Sequence, residues 1–125
     1  MGSESYELGV KGEAIAEEYL LRNGYRILEK NFHSQQGEAD IVARDGEFLV
    51  FVEVKSYSFR SFGPPLSAVR KSKRENIIHA ARYYLYKNKI KDTHCRFDVL
   101  TIYREKNGAR VIELFKNAFQ ANRPY

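Results

Sequence analysis

Residues 38–55 read Glu38-Ala39-Asp40-Ile41-Val42-Ala43-Arg44-Asp45-Gly46-Glu47-Phe48-Leu49-Val50-Phe51-Val52-Glu53-Val54-Lys55. Asp45-Gly46 between two apolar runs is a strong signal for a β-hairpin. The two runs carry Asp40, Glu53 and Lys55 where a core strand would carry apolar side chains. An ionised carboxylate that faces a protein interior is costly unless a cation or hydrogen bonds compensate it. The stretch therefore predicts a metal site on a hairpin.

The hairpin register follows from the turn. A two-residue loop at Asp45-Gly46 predicts Asp40 opposite Phe51 and Glu38 opposite Glu53. Side chains alternate between faces along a strand, so these acids share one face with Lys55. Asp40 and Glu53 become diagonal neighbours about 7 Å apart at Cβ, close enough to share one divalent ion. The other face is wholly apolar and is predicted to be packed core: Ile41, Ala43, Phe48, Val50, Val52 and Val54.

The residue types suit phosphoryl chemistry. Mg²⁺ prefers oxygen ligands, takes few carboxylates and retains waters, which leaves positions for a phosphate. An ammonium such as that of Lys55 can orient a water or stabilise developing negative charge. The alternative is a structural network of Asp40, Glu53 and Lys55 without catalysis. Glu38 faces the site in this register, but a supporting role is favoured over direct ligation.

Three short motifs resemble those of a known nuclease-like family. Gly37-Glu38-Ala39-Asp40-Ile41-Val42, Phe51-Val52-Glu53-Val54-Lys55 and Phe62-Gly63 closely resemble the bacterial YraN family. That family resembles a branch of the PD-(D/E)XK nuclease superfamily and is similar to archaeal Holliday junction resolvases. The remaining matches extend over most of the chain: Gly12-Glu13, Asn31, Lys73 and Arg96-Phe97-Asp98.

The resemblance assigns roles to four residues. It implies Asp40 and Glu53 as ligands of Mg²⁺, with Mn²⁺ as an alternative ion, and Lys55 as the catalytic lysine. It also implies Glu13 as a helix-borne acid that is catalytic and close to the metal. Helical spacing alone places Glu13 at the edge of the apolar stripe of the first helix, where a solvated acid is the simpler interpretation.

The charge of the chain is unevenly distributed. The net charge is +5, but residues 55–91 contain ten basic side chains and one acid. Such a block beside the acids favours a polyanion, because Lys and Arg contacts to phosphates give sequence-independent affinity; a solvated helix surface is the alternative. Aromatic residues in the loop 56–65 could stack on unpaired bases or cover the core. The predicted nucleic-acid contacts are Lys73, Arg60, Arg70, Lys71 and Arg74.

Two apolar runs contain one charged residue each. Lys73 lies within the apolar stripe of the second helix, between Val69 and Ile77, and an inward lysine needs an anionic partner or an escape to solvent. Asp98 interrupts a strand. It could pair with a cation near the site, but a structural role is favoured.

The coarse element order is αβββαββ, with helices over residues 6–23 and 66–87. We predict a single domain, residues 1–125, with a restriction-endonuclease-like α/β fold: an αβββαβ core around a central mixed sheet. No apolar run approaches the length of a membrane span, so a membrane is not expected as a partner. The single cysteine, Cys95, fits a reducing cytoplasm, the predicted location.

The predicted function is metal-dependent hydrolysis of DNA phosphodiester bonds, with branched or junction DNA in repair or recombination as a candidate substrate. Related resolvases are homodimers, so the resemblance makes a homodimer a candidate assembly. A non-catalytic nucleic-acid-binding module that recruits a helicase or recombination protein is the alternative. A carboxylate-pair hydrolase of sugars would act without a divalent ion; the Glu-x-Lys pairing and the basic block argue against it.

Overall fold

The computed structural model describes residues 2–57 and 71–121, and their side chains from residue 12 onward. Within these ranges the element order agrees with the predicted αβββαββ. No helix in them is long and apolar enough to cross a membrane. The elements are α1 (Gly2–Arg22), β1 (Arg26–His33), β2 (Glu38–Asp45), β3 (Phe48–Ser56), α2 (Lys71–Lys87), β4 (Cys95–Arg104) and β5 (Arg110–Phe119).

The five strands form one mixed sheet in the order β1-β2-β3-β4-β5. Strands β3 and β4 are parallel, and the other neighbouring pairs are antiparallel. The parallel pair requires a crossover, and α2 lies in it, as in a βαβ unit. This architecture confirms the predicted α/β fold with a central mixed sheet, consistent with a restriction-endonuclease-like core.

The two helices cover opposite faces of the sheet. Ala16 and Leu20 of α1 pack on the face that the hairpin pattern predicts to be wholly apolar, which includes the fully buried Val50. Ile77 of α2 packs on the other face, against Phe51. The acid-bearing face is therefore also packed core near the hairpin turn and becomes polar only further along the strands.

Helix α1 ends as its sequence predicts. Gly24 has a φ of +86°, a conformation that costs a glycine little. The Gly24 N–H donates to the Leu21 carbonyl over 3.2 Å, and the Tyr25 N–H donates to the Leu20 carbonyl over 2.9 Å. This pair of bonds is the Schellman motif, and it directs the chain into β1.

The predicted hairpin register is wrong by two residues. Asp45 pairs with Phe48 and Arg44 with Leu49, so the loop is Gly46-Glu47 and not Asp45-Gly46. Gly46 carries the positive φ of +59° as the first loop residue, the position where a type II′ turn requires glycine. Because the shift is even, every side chain keeps its predicted face. In the observed register Asp40 lies across from Glu53, and not across from Phe51 as predicted.

A close backbone approach joins the loop before β2 to α2. A Cβ built on Gly37 would overlap the Asn76 carbonyl oxygen and lie 2.6 Å from its carbon and 2.9 Å from its Cα. These are backbone atoms of a helix, which cannot rotate away. Glycine at position 37 thus lets α2 approach the start of β2, where the candidate site begins.

Gly37→Ala is expected to destabilise the protein by about 2 kcal/mol, because overpacking typically costs 1–3 kcal/mol. Urea unfolding followed by circular dichroism measures the change. Gln36→Ala is the matched control, since the exposed Gln36 side chain donates and accepts no described bond. A Gly37→Ala variant as stable as the control would contradict the close approach.

Candidate functional site

Strands β2 and β3 cease to pair regularly at the candidate site. Their last regular pair on this side is Ile41 with Val52. Beyond it, the Val54 backbone N–H donates to Asp40 Oδ2 over 2.8 Å. The Asp40 carboxylate therefore lies between the two strands and is held there by the backbone of β3.

Glu53 is a buried carboxylate without full compensation. Its residue is 3% exposed, and its Oε2 atom has no hydrogen-bond partner among the described residues. Burial, followed by the negative charge of Asp40, raises the pKa of Glu53 to about 8. A protonated Glu53 can share its proton with Asp40 through a side-chain hydrogen bond, whereas an ionised Glu53 leaves Oε2 unsatisfied, which is rare for a buried polar atom. A cation bound between Asp40 and Glu53 would supply the missing partner, and the donor set fits a hard divalent ion.

Two lysines flank Glu53 from different elements. Lys55 Nζ on β3 and Lys73 Nζ on α2 each lie 3.8 Å from Glu53 Oε1. Burial by itself would lower the pKa of Lys73. The negative charges of Glu53, Glu38 and Asp40 outweigh this effect, so the pKa of Lys73 is raised. The inward-facing lysine predicted from the helical stripe therefore has its anionic partners at the site.

Glu38 links the site to β1. Lys73 Nζ donates to Glu38 Oε1 over 3.1 Å, and His33 Nδ1 lies 3.1 Å from Glu38 Oε2. Glu38 thus holds Lys73 in place, a geometry that agrees with the supporting role favoured from the sequence. The local sequence favours a solvated loop histidine at position 33, whereas the register of β1 and β2 pairs His33 with Glu38.

Glu13 of α1 approaches the site from the other face of the sheet. Burial, and next the charge of Asp40, raises its pKa, while a side-chain hydrogen bond with Asn31 lowers it. Asn31 has a φ of +52°, an unusual conformation within β1. The preceding Gly12 contacts the end of β3: a Cβ there would overlap Ser56 Oγ. Glycine at this position lets α1 lie close enough for Glu13 to interact with Asp40.

Of the remaining predicted nucleic-acid contacts, only Lys71 and Arg74 lie within the described residues. Arg60 and Arg70 lie outside the described residues, as do Phe62-Gly63 and most of the aromatic loop. Lys71 is exposed in the first turn of α2. Arg74 is partly buried, and its Nε atom has no hydrogen-bond partner within the part of the chain that the structure describes.

The described side chains do not contain three acids, histidines or cysteines already gathered as a metal-binding group. What the structure brings together is a carboxylate pair, Asp40 and Glu53, with Glu13 interacting electrostatically with Asp40. This suits Mg²⁺ better than a metal that needs a closed protein cage. Mg²⁺ is usually held by one or two carboxylates, with waters and substrate phosphates completing the shell.

Asp98 belongs to a separate buried network on the α1 face. It accepts hydrogen bonds from the Tyr25 hydroxyl at 2.8 Å, from Arg96 Nε at 2.9 Å and from the Asn117 N–H at 2.9 Å. Arg96 also donates to Asp45 at 2.7 Å. The geometry is that of the structural role favoured from the sequence. The roles of Tyr25 and Asp45 were missed, because no local pattern links positions so distant in the chain.

Comparison with known proteins shows to which family the chain belongs. The model of the Uncharacterised protein family UPF0102 matches residues 12–102, from the start of the described α1 side chains to β4. The chain belongs to the UPF0102 family. The matched range contains Glu13, Asp40, Glu53 and both lysines that flank Glu53.

Full-length similarity to other UPF0102 proteins agrees with this. The chain is 49% identical over 114 residues to a UPF0102 protein of Pelobacter propionicus, covering 90% of this chain and 81% of that protein. It is 46% identical over 116 residues to one of Acetivibrio thermocellus, covering 89% of each. It is 41% identical over 122 residues to one of Desulforapulum autotrophicum, covering 98% of this chain and 100% of that protein.

Proposed function

We propose that this UPF0102 protein is a divalent-metal-dependent endonuclease that hydrolyses phosphodiester bonds in DNA. The observation that carries the proposal is the Glu53 carboxylate, buried beside Asp40 with one oxygen unpartnered and flanked by two lysines. A carboxylate pair with a spare ligand position and adjacent cations is suited to binding a metal ion together with a phosphate.

Asp40 and Glu53 would hold the ion, Mg²⁺ or Mn²⁺, and Glu13 would support it through Asp40. The Val54 carbonyl is a further candidate ligand, because the N–H and C=O of a strand residue point to the same edge. A bound divalent ion supplies Lewis-acid polarisation of a phosphoryl oxygen and lowers the pKa of a bound water.

The two lysines have different tasks in this proposal. The Lys55 side chain is 33% exposed, so its ammonium can donate to the attacking water or to the phosphoryl oxygens as negative charge develops. Lys73 is held by Glu38 and binds a non-bridging oxygen of the scissile phosphate or its neighbour. Because Lys73 is already oriented by Glu38, little rotamer freedom is lost when the phosphate binds.

The substrate is proposed to be DNA, with branched or junction DNA as the preferred form. Lys71 and Arg74 lie in the first turns of α2, beside Lys73, where they can contact the DNA backbone; Arg60 and Arg70 are proposed for the same task from the sequence. Symmetric cuts across a junction would require a homodimer. The proposed location is the cytoplasm, and a helicase or recombination protein is a candidate partner.

The same geometry supports a second candidate, a non-catalytic nucleic-acid-binding module. Both lysine nitrogens lie near Glu53 Oε1, and no three-ligand metal group is present in residues 12–57 and 71–121. In a module without turnover, these lysines would neutralise the acids permanently. Binding would then follow salt concentration without any requirement for a divalent ion.

Cleavage of labelled DNA tests the proposal. Duplex, single-stranded, flap, fork and four-way junction substrates are incubated with Mg²⁺, Mn²⁺ or EDTA. The wild type should cut with either metal and not in EDTA, and Asp40→Asn should be inactive. The cleavage rate of Lys55→Gln should fall at least about 100-fold, the lower end of the range for loss of one donor that stabilises the transition state. Lys106→Gln, in the exposed loop between β4 and β5, is the control and should cut normally. Salt-dependent binding without cutting would favour the non-catalytic module.

A further inference from the structure

A second basic surface lies at the far end of α2. The last turns of α2 and the segment that follows line an open groove of about 1220 Å³. We call it the α2-end groove. The lining residues used below are Arg82, Tyr83, Tyr86, Lys87, Lys89 and Lys91.

Two aromatic rings are exposed in the α2-end groove. Tyr86 is 81% exposed and Tyr83 is 43% exposed. The Tyr83 ring stacks on Phe32 of β1, with centroids 6.0 Å apart and an angle of 28° between the planes, which fixes its orientation. Tyr86 is so exposed that it contributes little to the core. Exposed aromatic rings on a fixed helix are platforms on which flat ligands can stack.

The charges around these rings are uncompensated. The groove contains four cationic side chains and one acid, Asp92. Arg82, Lys89 and Lys91 form no ion pair within the described residues, and Lys87 Nζ lies 5.8 Å from the centroid of the Phe32 ring. Free cations next to exposed aromatics complement a ligand that carries both negative charge and flat apolar rings. A nucleic-acid strand with unpaired bases has both properties, since bases stack on aromatic side chains while Lys and Arg contact the phosphates.

The groove is separate from the candidate active site. Lys73 and Tyr86 are thirteen positions apart on α2, which corresponds to about 20 Å along a helix. That distance equals roughly six nucleotide steps of a duplex at ~3.4 Å each. Because thirteen positions also place Tyr86 about 140° around the helix axis from Lys73, a strand held in the groove would have to cross α2 to continue into a duplex whose scissile phosphate lies at Asp40 and Glu53.

We propose that the α2-end groove binds an unpaired nucleic-acid strand through stacking on Tyr86 and Tyr83 and through phosphate contacts with Arg82, Lys87, Lys89 and Lys91. Binding of a single strand in the groove does not depend on the proposed nuclease function. Only the statement that this strand is part of the DNA substrate rests on that function. The proposal restricts that substrate to DNA with a single-stranded arm adjoining a duplex.

The test measures binding in EDTA, where cleavage cannot occur. Fluorescence anisotropy at fixed salt gives the Kd of the full chain for a twelve-nucleotide oligothymidylate and for a blunt duplex of the same length. Tyr86→Ala should weaken binding of the single strand about tenfold, within the range expected for loss of one stacked base. It should change duplex binding less than twofold. Tyr86→Phe, which keeps the stacking ring, should bind like the wild type.

Controls separate the groove from general electrostatics. Leu21→Ala removes an exposed apolar side chain on α1, away from the groove, and should leave the Kd unchanged. Equal affinity of Tyr86→Ala and wild type for the single strand would overturn the inference. Tighter binding of poly-glutamate than of the oligonucleotide at matched charge, with no loss of that binding in Tyr86→Ala, would also overturn it and would indicate an acidic peptide. Conversion of a dimer to a monomer by Tyr86→Ala in sedimentation, with unchanged DNA binding, would indicate a second copy of the chain as the occupant.

The two proposals can fail independently. Loss of single-strand binding in Tyr86→Ala, together with absence of cleavage by the wild type on every substrate, would retain the groove and reject the nuclease. Metal-dependent cleavage by the wild type with an unchanged Kd in Tyr86→Ala would retain the nuclease and reject the groove.

Discussion

Glu53→Gln is expected to abolish metal-dependent cleavage and, at the same time, to stabilise the metal-free protein at neutral pH. The glutamine keeps the shape of the side chain but removes the charge that Asp40 and burial oppose. The folded-state pKa of Glu53 is about 8, compared with an ordinary value of 4.5. Folding at pH 7 therefore requires Glu53 to take up a proton. Each unit between the pH and the ordinary pKa costs ~1.4 kcal/mol, so the total cost is on the order of 3 kcal/mol.

The pH dependence of this gain has a definite sign. A carboxyl group whose pKa is raised on folding is protonated in both states below about pH 4.5, where it adds no penalty. The penalty grows between pH 4.5 and 8 and is constant above pH 8. The stability difference between Glu53→Gln and wild type should therefore be small at pH 4.5 and largest at pH 8 and above.

Thermal unfolding in EDTA at several pH values measures this difference. Added Mg²⁺ should raise the Tm of the wild type, because an ion that binds only the native state stabilises it, and should leave Glu53→Gln unchanged. Glu47→Gln in the exposed hairpin loop is the control and should behave like the wild type in both experiments. Equal protection of Glu53→Gln by Mg²⁺ would remove Glu53 from the metal site, whatever its effect on cleavage. A site that gains stability when its function is removed is typical of strain kept for activity.

Asp98→Ala is expected to destabilise the protein by about 3–5 kcal/mol, the usual cost of removing one partner of a buried ion pair. Asp98 is fully buried and accepts bonds from Tyr25, Arg96 and the backbone of Asn117. Its loss leaves the Arg96 guanidinium buried with only Asp45 as a described acidic partner. Because small domains are stable by about 5–15 kcal/mol, this variant should be close to unfolding.

Urea unfolding followed by circular dichroism provides the measurement. Tyr25→Phe removes only the hydroxyl, which donates to Asp98 and accepts from Arg96, and should cost about 1–3 kcal/mol. Glu105→Ala, an exposed acid just after β4 whose backbone has an ordinary negative φ, is the control and should change stability by less than about 0.5 kcal/mol. A loss below 1 kcal/mol in Asp98→Ala would contradict the role of the network in holding the segment before β1, the hairpin, β4 and β5 together.

Local patterns in the sequence predict the elements and the faces of the strands correctly. Period-two alternation places Asp40, Glu53 and Lys55 on one face, and this survives the register error because a shift of two residues preserves the faces. The spacing of apolar residues predicts α1 and the described part of α2, while residues 66–70 of the predicted second helix lie outside the described residues. Gly24 predicts the end of α1. Lys73 stands out for a similar reason: a charge within an apolar stripe conflicts with Val69 and Ile77, its neighbours four positions away.

Contacts between distant parts of the chain could not be predicted from such patterns. The position of the hairpin loop depended on whether Asp45 joins the loop or pairs with Phe48, and the Asp45 carboxylate instead binds Arg96, 51 residues away. The overlap that requires glycine at position 37 is with the backbone of α2. The pairing of Glu38 with Lys73 spans 35 residues, and that of Tyr25 with Asp98 spans 73.

The chain by itself therefore determines which residues face the same side and which charges are out of place. Backbone geometry and the desolvation of single side chains act over a few residues and leave a periodic signal. The tertiary structure decides the partner of each charge. That choice depends on how two helices pack on opposite faces of one sheet, a balance of many weak contacts that no short segment contains.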